Sequence, residues 1–239
     1  MCCGSAYNEV NFCANFLNVS SVFFTTGRKL PIYAVQTDEN KVGISFDAAW
    51  GADKTKAIMD VCDAYGVKAT FFLVGFWIEK YQDVVKDIYN NGFEIGLHSN
   101  THPDMTKLTK QEICNELKTN IHLIQDLTGV KAKLFRPPFG AYNNRLIDVC
   151  DDLGLCCVQW SVDSLDWKGL SAGEIAGRVT SKAENGSIIL CHNNADNIVE
   201  GLKLILEYFK CNGTKVVPIG ELIYYDNFHI NSNGIQIKR

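Results

Sequence analysis

Two histidines four residues apart, His98 and His102, stand just past the apolar run Phe93 to Leu97, so both can reach one cation. Imidazole nitrogen is a common ligand for zinc and its neighbours, and the pair points to a metal-dependent enzyme. On spacing alone, a plain surface pair fits as well. What sharpens the reading is the company the histidines keep. Asp47 ends the run Val42-Gly43-Ile44-Ser45-Phe46, and Arg136 ends Ala132-Lys133-Leu134-Phe135. Asp163 follows Cys157-Val158-Gln159-Trp160-Ser161-Val162, and His192 ends Ser187-Ile188-Ile189-Leu190-Cys191. Five apolar, β-branched runs thus end in a residue able to bind metal, move protons or hold charge.

From residue 41 onward such runs alternate with helical patterns, which predicts parallel strands joined by crossover helices. The expected strands are 41–47, 69–74, 93–98, 132–136, 155–162, 187–192 and 215–219. Ile58, Val61, Cys62 and Tyr65 recur at helical spacing with Gly66 as a stop, and a second helix is expected near 77–90. Ile113, Leu117, Ile121 and Ile124 form an apolar stripe opened by Thr109 and Glu112 at capping-box spacing. Further helices fall near 143–153, 171–184 and 196–211. An open sheet collects its functional groups at a switch point, whereas a barrel opens every strand's C-terminal end onto one face. Five strands each ending in a reactive group favour the barrel. The expected organisation is an N-terminal arm or pro-region at 1–40, a catalytic domain at 41–224 and a polar tail at 225–239 with one late strand.

The 239 residues suffice for one large core. With 23 basic and 27 acidic residues and a net charge of -4, nothing favours nucleic acid as a partner. A neutral or polar substrate fits better. The 10 cysteines include no CxxC pair, and most read as small buried hydrophobes. No stretch approaches the ~20 apolar residues of a membrane span. Residues 10–25 are moderately apolar but broken by asparagines, with no basic segment of a secretory signal before them. Oligomeric state is left open.

Taken in order, Ser45-Phe46-Asp47, His98-Ser99-Asn100-Thr101-His102, Arg136-Pro137-Pro138-Phe139-Gly140, Asp163-Ser164-Leu165-Asp166-Trp167 and Leu190-Cys191-His192 resemble the five motifs of the NodB-type polysaccharide deacetylases, carbohydrate esterase family 4. The resemblance covers residues 41 to about 192. It implies a distorted (β/α) barrel of about seven parallel strands and a hydrolase acting on an N-acetylated glycan, such as peptidoglycan or a chitin-like oligomer. It further implies that His98 and His102 hold a divalent cation, zinc first with cobalt or nickel as alternatives. Asp47 would then be the base on water and His192 the acid to the leaving nitrogen. Arg136 would orient Asp47, and Asp166 would hold His192. The Phe139 backbone amide would face the oxyanion, while Trp167 and Leu190 would wall the groove, Leu190 near the acetyl methyl.

One departure stands out. The family's first motif carries two consecutive aspartates, and the second, a metal ligand, is Ala48 here. Phe46-Asp47-Ala48-Ala49-Trp50-Gly51, with Lys29-Leu30-Pro31-Ile32-Tyr33 upstream, is similar to a sporulation-associated, PdaB-like branch, which implies a cell-envelope or spore setting. Two histidines without a carboxylate bind a cation more weakly. Asp47 or Asp104 could substitute, and the alternative function is a catalytically weak or inactive glycan-binding or structural sporulation protein. Singly, each residue has a plainer reading: Asp47 a helix cap, Arg136 a surface ion-pair partner, Phe139, Trp167 and His192 parts of a core. Their ordered coincidence reverses that balance. His122 and His229 match no motif and are expected to face solvent.

Overall fold

The most continuously apolar run is the centre of the sheet, because a strand covered on both faces needs apolar residues at nearly every position. A computed structural model describes residues 27–239. The run 10–25 and Cys2, Cys3 and Cys13 lie outside the described residues. The strands are β1 (Ala34–Val35), β2 (Lys41–Ala48), β3 (Thr70–Leu73), β4 (Glu94–Leu97), β5 (Leu134–Phe135), β6 (Cys156–Cys157), β7 (Val162–Asp163), β8 (Ile188–His192), β9 (Lys215–Val217), β10 (Phe228–Ile230) and β11 (Ile235–Lys238).

Seven of them run in the order β6-β5-β4-β3-β2-β8-β7, all parallel, with β9 pairing the first residues of β2. The expected strand 155–162 is thus two short ones at opposite ends of this order. β6 pairs β5, four irregular residues follow, and β7 pairs β8. Because one run supplies both ends, the sheet curls round on itself as the distorted (β/α) barrel that the sequence predicts. Ile32 lies in the seam, donating its N–H to Cys157 and accepting from the Gln159 N–H. β1 pairs β11, and β11 pairs β10. The segments before and after 41–224 are therefore joined, and the tail holds two strands instead of one.

Alternation along β2 sorts its side chains. Val42, Ile44, Phe46 and Ala48 join the apolar layer under the helices, with Ile58, Ile113, Leu117, Leu202 and Ile205. Phe72, Leu134 and Ile188 belong to a second cluster. The helices follow their sequence signals: Thr109 and Glu112 form a complete capping box at the start of Lys110–Thr128, and Asn143 caps Asn144–Leu153. Helix Thr55–Ala64 ends before Gly66, whose φ of 67° suits a residue without a Cβ. The helix expected at 77–90 is two, Gly75–Lys80 and Gln82–Asn90, broken where Tyr81 leaves helical geometry. Among the described residues all seven cysteines are free thiols, four of them buried. No described helix is long and apolar enough to cross a membrane.

Candidate active site

Register brings the first two groups together. Asp47 on β2 and His192 on β8 are direct partners across parallel strands at their C-terminal ends. Both line a cavity of about 390 Å³ with His98, His102, Phe139, Trp167 and Leu190. Of the residues to which the motifs give a site role, all lie there except Arg136 and Asp166, which sit behind the lining and hold two of its members.

Arg136 is completely buried, and its Nη1 donates to Asp47 Oδ1 at 2.8 Å and to Ser45 Oγ at 2.7 Å. Nη2 donates to the Gln159 carbonyl at 3.1 Å, and the guanidinium lies 4.2 Å from the centre of the Phe72 ring. Phe72 can take that position because Gly96 has no side chain; a Cβ there would meet the ring at 2.5 Å. Burial pushes the Asp47 carboxyl up, but the Arg136 charge beside it, with His192 adding to it, outweighs burial, and Asp47 stays below the usual carboxylate range.

Asp166, also buried, holds His192 twice. One oxygen accepts from the His192 backbone N–H at 2.7 Å, and the other lies 2.7 Å from Nδ1. A carboxylate accepts, so the proton is on Nδ1 and Nε2 is left for the cavity side. Burial lowers the affinity of this ring for a second proton, but Asp166 more than restores it, and His192 titrates above an ordinary histidine.

The loop after β4 is set by the long helix Lys110–Thr128. Glu116 accepts from the Asn100 and Thr101 N–H groups at 2.8 Å each, and Asn120 donates to the Ser99 carbonyl at 2.9 Å. Ser99 and His102 both take left-handed backbone conformations, φ 67° and 58°. The His98 and His102 rings lie 5.0 Å apart. Burial, and then its neighbour His98, bring His102 down to about 4.

His98 supplies a test of the expected cation. Its Nδ1 is 2.8 Å from the Arg136 carbonyl, which can only accept, so the proton is on Nδ1. Burial keeps the ring neutral, and its Nε2 lone pair then faces Asp47 Oδ2 at 3.5 Å. Two buried acceptors facing each other call for a hydrogen-bond donor or a cation between them, so the pair fits a cation. The remainder of a metal site is incomplete: among the described residues no group of three or more His, Cys, Asp or Glu side chains is arranged to hold a metal ion. Ala48 is fully buried among apolar side chains and outside the cavity lining. Asp104 is turned away, its carboxylate taken up by Thr106 and Lys107. His122 and His229 are exposed, as expected.

Trp50, Trp160 and Asn194 also line the cavity and were not singled out from the sequence. Ser45 and Gln159, which hold Arg136, carry no signal of that role in the sequence, although the serine stands inside the first motif.

The sequence pattern described as polysaccharide deacetylase matches residues 34–158. YlxY, an uncharacterized protein of Bacillus subtilis (strain 168), is 35% identical over 193 residues, 81% of this chain and 60% of YlxY. The chain thus spans about 60% of that relative's length. A peptidoglycan-N-acetylglucosamine deacetylase of Bacillus cereus is 34% identical, covering 78% of this chain and 70% of its own. Among solved structures, BA3943 from Bacillus anthracis, described as a CE4 family pseudoenzyme, superposes with a TM-score of 0.78 at 33% identity, covering 82% of this chain and 69% of that one. By these matches the chain belongs to the polysaccharide deacetylase family.

Proposed function

We propose that this protein removes acetyl groups from an N-acetylated polysaccharide, with peptidoglycan or a chitin-like oligomer as the substrate class. The observation that carries this reading is the pairing of Asp47 with His192 at one cavity, each group anchored by its own buried partner of opposite charge. Asp47, kept ionised by Arg136, takes a proton from the attacking water. His192, charged and oriented by Asp166, gives its Nε2 proton to the departing nitrogen. The Phe139 N–H, in a loop with a left-handed residue, φ 60°, is the donor to the developing oxyanion. Trp167 and Leu190 wall the groove. His98 and His102 would hold a divalent cation, zinc first and cobalt or nickel next, whose chemistry there is to polarise the acetyl oxygen and acidify water.

A second reading, a glycan-binding or structural protein with little catalysis, is favoured by Ala48 and by the likeness to BA3943. Acetate release from N-acetylglucosamine oligomers and peptidoglycan separates the two, comparing chelator-treated protein with protein resupplied with zinc, cobalt or nickel. Metal-restored release supports the enzyme; glycan binding without release supports the second reading. A peptidoglycan substrate would mean a cell-envelope setting, and the likeness of residues 46–51 to the sporulation branch adds a spore role.

Two further results are expected. Because Asp166 raises the His192 pKa, the acid stays charged beyond the usual histidine range, and kcat/KM is lost only as pH rises through that raised value. Asp166→Asn is expected to move this basic limb to lower pH; an unmoved limb assigns the acid elsewhere. Ala48→Asp is expected to tighten zinc binding at least about tenfold by calorimetry, since it adds an anionic oxygen ligand. The metal-free variant is expected to melt below wild type, because its new carboxylate is buried, and to regain stability with zinc. Unchanged affinity would mean either that Asp47 already completes the site or that a side chain at 48, outside the cavity lining, does not reach the cation.

A further inference from the structure

Among the described residues the three most exposed large hydrophobic side chains are Phe139 (70%), Trp50 (61%) and Trp167 (58%), and all three line the cavity that holds Asp47 and His192. Aromatic surface of this size, gathered at one opening, marks a binding face. The proposed chemistry uses Phe139 and Trp167 and leaves Trp50 without a role.

Trp50 lies against His102 with ring centres 5.2 Å apart, and Phe139 meets the same histidine at 4.7 Å. Phe76 lies 6.5 Å from Trp50. Phe139, His102, Trp50 and Phe76 therefore form a contiguous series of ring contacts that extends the aromatic surface beyond the reacting groups. The loop that carries Trp50 is held firmly although its side chain is exposed. The next carbonyl, Gly51, accepts from Trp77 Nε1 at 2.6 Å and from Asn193 Nδ2 at 2.9 Å. Gly51 itself has φ 66°, and a Cβ there would approach Asp53 Oδ1 to 3.1 Å. A rigid backbone presenting an uncovered indole loses little freedom on binding. Its flat apolar face matches the C–H face of a pyranose ring, and its size gives it more contact than any other side chain could.

We propose that Trp50, backed by Phe76, is a sugar-stacking residue for a neighbouring unit of the glycan, so that the site favours a chain of several pyranose units over a short one. The proposal rests on the glycan reading above and adds a length specificity to it. The experiment is calorimetric titration of N-acetylglucosamine itself and of its hexamer into wild type, Trp50→Ala and Trp50→Phe, with circular dichroism to check the fold. Trp50→Ala is expected to weaken hexamer binding about tenfold and binding of the single sugar less than about twofold, and Trp50→Phe to keep most of the affinity. Unchanged hexamer binding in Trp50→Ala, or equal losses for both lengths, overturns the length specificity while the glycan reading stands. Failure of wild type to bind either the hexamer or peptidoglycan overturns both.

Discussion

His192→Ala is expected to lower kcat for acetate release by on the order of 10²–10⁴-fold while glycan affinity stays within about twofold. The leaving nitrogen of an amide must be protonated as the carbon–nitrogen bond breaks, and the only imidazole in the cavity with a carboxylate on its Nδ1 is His192. The ring is a poor candidate for a packing element, since its side chain keeps 26% exposure while its partner Asp166 is sealed. Removing it therefore deletes a proton donor more than it deletes a contact. Steady-state kinetics with a binding isotherm decides the matter. Parallel losses in turnover and affinity would give His192 a structural role and remove the acid from the proposed mechanism.

Arg136→Met is expected to cost about 3–5 kcal/mol of stability, measured by urea unfolding, because it leaves the Asp47 charge buried and unpaired. The methionine stem fills much of the space over Phe72, so the loss reports the charge more than a cavity. Two further results separate these causes. Adding Asp47→Asn should recover part of the loss, since the double variant has no carboxylate to strand. In wild type the folded Asp47 pKa is depressed, so its contribution is present above the ordinary carboxylate pKa and lost as pH falls through the lower folded value. In Arg136→Met the largest charge opposing burial is gone, the pKa is expected to rise from its depressed value, and the deficit should shrink as acid neutralises the group. A deficit independent of pH and unrelieved by Asp47→Asn would make Arg136 a packing residue.

Much of this architecture could be read along the chain because the signals are local. Helix Lys110–Thr128 carries its capping box and apolar stripe in consecutive residues, and β2 sets Val42, Ile44, Phe46 and Ala48 at every second position. Where signals were not local the reading slipped. Residues 155–162 look like one strand because Leu155, Cys157, Val158 and Val162 are all apolar, yet the run divides so that its two ends pair with β5 and β8. That division depends on barrel closure, which no short window contains. Trp50 stands in the run Phe46 to Gly51 without a legible role, because a tryptophan beside an apolar run is more often core. Only the cavity reveals that it is exposed.

By itself the sequence determined which reactive groups end the strands, in what order, and that alanine stands at position 48 where a carboxylate is usual. These are matters of residue type and short spacing, and a parallel βα pattern carries such strand ends to one face whatever the details. The tertiary structure alone decided how the groups act on one another. Arg136 meets Ser45 across 91 residues of chain, and Asp166 meets His192 across 26. Such pairs arise from strand register and barrel closure, and with them come the burial that strengthens each charge, the tautomers of His98 and His192, and the choice of which aromatic rings face solvent.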